Sequence, residues 1–408
     1  MVGRKRLTYH ARNANINKDS TQSGGGRLDL FVIGAGFAGA TVARVFADNN
    51  KKVRICDRRS HVAGNMFDCE DDGVLVHKYG PHIFHTSHAR VYDYIKNFAE
   101  LNVYEHKVRG CIDGKLCPIP FNFESIDTCF PLEKAAVFKR KLLEAYTSRD
   151  TVAIGELRSG EDPVLCELAE FVYQKVFLNY TKKQWGVPPE ELGGDVMSRV
   201  PLRLSYDDRY FSDIYQVMPK KGYTHLISSM LDHPNIEVLL GYDAEEHCSA
   251  QNQTFLIDGE ETAAEVVYTG CLDELLDYRF GVLPYRSLDF LFEKKQWQFQ
   301  PFSVINYPND NLFTRSTEFA HFYPERTYTD STVLYEFPKP YRKNLGDPYY
   351  PIPKDENFAL YRQYLDEVKD IKNLHLLGRL AQYKYMNMDE VILRGLELAD
   401  SLLARKLY

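Results

Sequence analysis

A chain of 408 residues with 26% charged residues and a formal net charge of -7 is long enough for two or three domains or one elaborated α/β unit, and it carries no global basic field of the kind that gathers nucleic acid. Any anionic ligand must therefore be held by a local basic site. Aromatic residues make up 13% of the chain, with 28 tyrosines, a composition that favours stacking surfaces. The eight cysteines form no C-x-x-C pair, which disfavours a metal site or a disulfide framework and fits a reducing cytoplasm. No apolar run of about eighteen residues could span a bilayer, so a soluble cytoplasmic protein is expected.

Residues 1–27 hold six Lys or Arg against one acid, end in a glycine run and lack apolar periodicity, which predicts a disordered extension. The folded chain then opens with "LDLFVIGAGFAGATVARVFADNNKKVRICDRR". An apolar strand at Leu28–Ile33 leads into Gly34, Gly36 and Gly39, an apolar helix, and a second strand ending at Asp57. Strand, G-x-G-x-x-G, helix and acid in that order predict a dinucleotide-binding βαβ unit. Gly34 allows the tight turn, Gly36 the approach of a pyrophosphate, and Gly39 close packing of helix on strand. Asp57 stands where a carboxylate can accept ribose hydroxyls. The fingerprint does not separate NAD from FAD.

Downstream, "DRRSHVAGN" places Arg58 and then Gly64 and Asn65 after the second strand. "GVLVHKYGPHIFHT" adds a strand with His77, His82 and His85. A lone histidine is usually a hydrogen-bonded structural residue, which suffices for His61 and His77. His82 and His85 follow a Gly-Pro turn at a strand end, where neutral imidazoles can donate to a flavin or sugar oxygen.

In "PVLCELAEFVYQKVFLNYTKKQWG", Leu165, Ala169, Val172 and Val176 form one apolar stripe leading into Tyr180. Gly186 and Pro188-Pro189 predict a helix stop that leaves Trp185 in a turn. Beside two lysines, such a tryptophan can line a cleft for an anionic, ring-bearing ligand. Near the C-terminus, "NLHLLGRLAQYKYMNMDEVILRGLELADSLL" reads as strand, aromatic loop and helix, with Asn387 to Asp389 in the first helical turn. That helix N-terminus would offer backbone donors to an electron-rich cofactor ring.

Taken together, "GAGFAG", "HKYGPHIFHT", "YTKKQWG", "RVPLR", "YFSDIYQ", "GYTHLI", "YRFGVLPYRSL", "GDPYYP" and "GRLAQYKY" resemble, in order and spacing, the bacterial-type UDP-galactopyranose mutases from Leu28 to the last helix. The resemblance implies a FAD enzyme, active when reduced, that interconverts UDP-galactopyranose and UDP-galactofuranose without net redox change. The implied route is attack of the reduced flavin N5 on the anomeric carbon, loss of UDP, opening of the sugar ring through a flavin-sugar iminium, and reclosure. It also implies a homodimer whose product feeds a cell-wall or other polysaccharide.

The same resemblance assigns residues. Arg199 in "SRVPLR" and Arg315 in "LFTRSTE" would clamp the substrate pyrophosphate, Tyr180 would stack on the uracil, Thr181 would line that pocket and Trp185 would sit by the sugar. Tyr350 and Tyr385 would donate to phosphate oxygens, Arg286 and Asn306 would shape the cleft, and Tyr210 and His106 fall on substrate-binding positions. Glu336 would orient neighbours. Candidate cofactor contacts are Ala38, His82, Ile83, Arg379, Met386, Asn387 and Met388, in addition to the βαβ residues and Arg58, Gly64 and Asn65. The chain departs from the common pattern at Ala63, His106, Asn179 and Asn387, and the departures at His106 and Asn387 leave open a mutase acting on an N-acetyl or deoxy sugar nucleotide. A FAD oxidoreductase of the amine-oxidase type and a nucleotide-sugar-binding protein without chemistry are the other classes.

The expected architecture is α/β, with a discontinuous Rossmann-like FAD domain formed by 28–104, 218–284 and 354–408. A helical domain spans 124–186, and 105–123, 187–217 and 285–353 form an antiparallel-sheet substrate domain.

Overall fold

The central sheet draws its five parallel strands from three separated stretches of sequence, in the spatial order Ile236–Leu240, Val53–Asp57, Leu30–Ile33, Glu265–Tyr268 and Leu374–Leu376. A computed structural model describes residues 27–192, 200–309 and 311–405, so apart from Arg27 the N-terminal extension lies outside the described residues, as does Arg199. All four residues of Leu30–Ile33 are buried, as a parallel strand covered on both faces requires. Alternation divides them between two cores. Leu30 and Val32 face helices Phe37–Asp48, Tyr223–Leu231 and Met388–Arg405, while Phe31 and Ile33 face a small antiparallel sheet at 248–261 and helix Asp355–Val368. This is a Rossmann-like layer arrangement whose carboxyl strand ends open onto one edge.

A seven-stranded sheet stands beside it, in the order Tyr350–Pro351, Tyr285–Gln296, Asp330–Pro340, Arg315–Glu318, Val304–Asn306, Val108–Ile112 and Lys115–Ile119. Its pairings are antiparallel except for Val304–Asn306 with Val108–Gly110. Register sets Arg315 directly across from Glu336. The third body is helical: Phe123–Cys129, started by an Asn122–Ser125 capping box, Leu132–Ala145, Ile154–Arg158, and Pro163–Val172, capped by Asp162. These helices enclose a core of their own around Phe138, Leu168 and Val172.

Two expectations are corrected. The described part of 187–217 adds no strand to the seven-stranded sheet. Leu202–Arg203 pairs instead with Thr151–Val152, and Tyr215–Pro219 lies between Phe84–Thr86 and Leu101–Val103. Trp185 is the last residue of a helix, not part of a turn. The chain passes from Val172 through a wider π-type turn at Tyr173–Leu178 into helix Asn179–Trp185. Gly186 stops it in the left-handed conformation (φ 77°), its N–H on the Lys182 carbonyl.

Candidate functional site

Two cavities meet along the open edge of the parallel sheet. The smaller, about 250 Å³, has glycine backbone at its floor. Gly34 has φ 106°, and a Cβ there would collide with Thr269 Oγ1, which is held by a 2.8 Å hydrogen bond to the Ile33 carbonyl. A Cβ on Gly39 would fall 2.7 Å from Val32 Cγ1 and closer still to the Gly34 carbonyl oxygen. Across the cavity, Gly64 (φ 53°) brings its backbone against Gly36, where an added Cβ would meet Gly36 Cα at 3.3 Å. Two chain segments without side chains thus form a cradle at the start of helix Phe37–Asp48. That shape and the N–H groups of the first helical turn suit a dinucleotide pyrophosphate.

Asp57 lines the cradle and braces it, with Oδ2 accepting from the Ala35 N–H and Oδ1 from the Arg59 N–H, both at 2.9 Å. Each oxygen keeps a second lone pair for ribose hydroxyls. Ala38, Arg58, Asn65, His82, Arg379, Met386, Asn387 and Met388 also line this cavity. Arg58 lies 3.4 Å from Glu274; burial pulls its pKa down, and Glu274 together with Cys271, Asp347 and Tyr341 more than offsets the pull. His82 Nδ1 is 2.8 Å from the Gly80 carbonyl, and burial, assisted by the charges of Arg379 and Arg315, lowers its pKa to about 4. It is neutral at pH 7. Arg379 donates to the Met386 and Tyr349 carbonyls and lies 5.2 and 4.8 Å from the Tyr350 and Tyr385 ring centres, which fixes the loop carrying Met386 and Asn387. Helix Met388–Arg405 begins there.

Ile83 is corrected. It points into the core and does not line the cavity, because alternation along the backbone turns it away from the side taken by His82. Gly39 likewise acts from beneath the loop. His77 and His61 are structural: His77 is wholly buried and accepts from the His82 N–H, and His61 bonds the Val62 carbonyl and Tyr79. Arg59, which the sequence reading passed over, bonds Asn65 at 2.9 Å and Asp347 at 2.8 Å and stacks on Tyr79. Its signal was the second basic residue of "DRR".

The larger cavity, about 650 Å³, is walled by side chains from segments far apart in sequence. Helix Asn179–Trp185 presents Tyr180, Thr181, Gln184 and Trp185. The loop before Tyr215 brings Tyr210 and Asp213, the mixed sheet Asn306 and Arg315, and the C-terminal half Tyr350 and Tyr385. Trp185 and Tyr350 are 5.9 Å apart, and Tyr350 stacks with Tyr385 at 6.0 Å. Asn387 borders both cavities. Arg315 Nε donates to Glu336 at 2.5 Å, and neither Nη bonds a described residue. Burial opposes its charge, but Glu336 and the Tyr180 and Tyr350 phenols raise its pKa well above the usual range. Asn306 Oδ1 is buried with no hydrogen-bond donor among the described residues.

His106 and Arg286 do not line the cavity. His106 is buried behind Tyr210 and Phe211, its ring centre 5.8 and 5.9 Å from theirs. Burial first, then the charge of Arg315, lowers its pKa to about 3. Arg286 is spent on the backbone: Nε donates to the Gln184 carbonyl at 2.8 Å and Nη2 to the Lys183 carbonyl at 3.0 Å, capping the helix that carries Tyr180. On the wall, the sequence reading missed Phe177, Arg203, Phe211 and Asp213. The last three lie in or next to "RVPLR" and "YFSDIYQ", motifs from which Arg199 and Tyr210 alone were taken. His85 also lies on this wall, with Nδ1 2.8 Å from Asp213 Oδ2.

The model of the UDP-galactopyranose mutase family matches residues 175–385, and that of NAD(P)-binding Rossmann-like domains matches 32–98. A probable UDP-galactopyranose mutase of Klebsiella pneumoniae is 35% identical, over 92% of this chain and 95% of the relative. A dTDP-fucopyranose mutase of Escherichia coli is 34% identical, over 91% and 97%. A crystal structure of reduced UDP-galactopyranose mutase superposes with a TM-score of 0.70 at 15% identity, over 92% of this chain and 96% of that one, a likeness of fold.

Proposed function

The chain belongs to the UDP-galactopyranose mutase family of isomerases, and from that premise we propose that it interconverts UDP-galactopyranose and UDP-galactofuranose on a bound FAD that works in its reduced state. The observation that carries this is Arg315. A guanidinium with one edge fixed on Glu336 and ringed by Tyr180 and Tyr350 is a built receptor for a diphosphate beside an aromatic base.

In this reading the cradle of Gly34, Gly36 and Gly64 holds the cofactor pyrophosphate, and Asp57 its ribose. When bound and reduced, the flavin supplies through N5 the nucleophile that displaces UDP from the anomeric carbon. The chain's own residues bind and hold charge. Tyr180 stacks on the uracil with Thr181 beside it, and Trp185 closes over the sugar. Tyr350 and Tyr385 donate to the phosphates. Arg315, with Arg199, strengthens its contacts as negative charge grows on the departing UDP, then keeps UDP in place for recombination. The same reading includes a cytoplasmic homodimer.

A second sugar nucleotide is favoured by two observations: the dTDP-fucopyranose mutase is 34% identical, against 34–35% for the UDP-galactopyranose mutases, and Asn387, where the two cavities join, departs from the common aspartate. The test is to identify the cofactor released from purified protein and to compare the dithionite-reduced enzyme on UDP-galactopyranose and dTDP-fucopyranose. FAD and preferred isomerisation of the UDP-sugar are expected. No conversion of either sugar nucleotide would overturn the proposal, and preference for dTDP-fucopyranose would move it to the second substrate.

A further inference from the structure

Asp213 and Ser87 have no part in the roles set out above, yet they surround His85, the one imidazole among the described residues on the wall of the larger cavity. Strand pairing sets Gln216 opposite His85 and so brings the preceding loop back over it. Asp213 Oδ2 lies 2.8 Å from His85 Nδ1, and Ser87 Oγ donates to Asp213 Oδ1 at 3.0 Å. The imidazole stacks on Phe211 at 3.6 Å with planes 14° apart, so its orientation is fixed by a ring on one face and a carboxylate on one edge. Nδ1 is committed. Nε2 makes no hydrogen bond to the described residues, nor is it among their buried, unpartnered polar atoms. It is therefore accessible from the cavity that His85 lines.

The other polar groups of this wall are poorly suited to proton transfer near neutrality. Burial raises the phenols of Tyr180, Tyr210 and Tyr350, the guanidinium of Arg315 stays charged, and Asp213 is the only carboxylate among the described residues of the wall, its acidity increased by the hydrogen bond from His85. Imidazole is the side chain whose proton exchanges in that range.

We propose that Asp213, supported by Ser87, is a positioning residue for ring interconversion: it fixes His85 so that Nε2 gives a proton to one sugar oxygen and takes one from another. This rests on the mutase reading. Interconversion of pyranose and furanose breaks one C–O bond and makes another. The ring oxygen that is released gains a proton, and the hydroxyl that closes the new ring loses one, so protons balance over the cycle. With Nδ1–H held on Asp213, the imidazolium gives its Nε2 proton to the first oxygen, and the neutral ring takes the proton of the second. His85 ends as it began, and Asp213 remains a carboxylate that stabilises the charged ring and selects the neutral tautomer.

The test uses flavin-loaded, reduced enzyme carrying Asp213→Asn, Asp213→Ala or Ser87→Ala, with saturating UDP-galactopyranose. Both Asp213 variants should lower kcat about a hundredfold, the lower end of the range for general acid–base catalysis, with KM changed little. Ser87→Ala should cost several-fold. Ring ¹⁵N NMR, with the His85 signal identified by its loss in His85→Gln, should show Nδ1–H in the wild type and a shift toward Nε2–H in Asp213→Ala. Wild-type kcat in both Asp213 variants, or an unchanged His85 tautomer in Asp213→Ala, would overturn the proposal. Failure of the wild-type enzyme to isomerise the sugar would instead overturn the mutase reading, so the two failures are distinct.

Discussion

In the proposed reading the two cavities recognise phosphate by opposite means. The smaller is a backbone site: Gly34, Gly36 and Gly64 serve by what they lack, and one helix start with one carboxylate completes it. The larger is a side-chain site, where aromatic faces and a braced guanidinium converge from helix Asn179–Trp185, two strands of the mixed sheet and two loops. The difference teaches where each is vulnerable. A backbone site fails when an atom is added, whereas a side-chain site fails when a charge or a ring is removed.

The largest effect is expected at Gly39. Its Cβ would overlap the Gly34 carbonyl, so Gly39→Ala must push the helix off the strand. Overpacking of this kind costs about 1–3 kcal/mol or more, and the cradle should lose its cofactor as well. Flavin absorbance and thermal unfolding of the purified variant check this, and normal values in both would show that the loop is not a tight cradle. Next comes Arg315→Ala, which should lower kcat roughly ten- to a hundredfold with flavin still bound, because a charged hydrogen bond to phosphate is worth about 1.5–3 kcal/mol. Lysine should rescue poorly, since a point charge cannot rest on Glu336 and also present a fork. Steady-state kinetics of both variants decide it. Tyr180→Ala should weaken UDP binding by about 1–3 kcal/mol through lost stacking on the base, measurable by titration calorimetry.

The comparison also explains how much was legible in the sequence. The backbone site lies largely within one βαβ unit, so glycine spacing, a following helix and an acid 23 residues beyond Gly34 suffice to locate it. The side-chain site depends on strand register and distant contacts. That Glu336 would brace Arg315 follows from pairing strands 21 residues apart, and no local period shows it. The resemblance puts Arg286 in the cleft, but its partners are main-chain carbonyls 102 and 103 residues away, which sequence pattern cannot reveal. Trp185 was placed in a turn because Gly186 and the prolines mark a helix end; a left-handed cap one residue later keeps the tryptophan helical. Ile83, expected at the cofactor, packs in the core beside His82, which lines the cavity.

The smallest effect belongs to His106, which sits behind the side-chain wall. Burial holds His106 at about 3 and His82 at about 4, whereas an unfolded histidine titrates near about 6.5. Between those values the unfolded chain binds more protons, so stability present above pH 6.5 is lost as pH falls toward 4. His61 and His77 are lowered by burial as well, and His106→Asn removes one of these contributions. Its melting temperature should fall less steeply than the wild type's between pH 7 and 4.5. An identical slope would show that the buried imidazole is not responsible.

The most direct measurement is an anaerobic single turnover of UDP-galactopyranose by pre-reduced enzyme, with the flavin spectrum and the sugar followed together. Furanose should form while the flavin ends as reduced as it began, and oxidised enzyme should form none at a comparable rate. Product appearing one for one with flavin oxidation, or formed equally fast by the oxidised enzyme, would contradict the account.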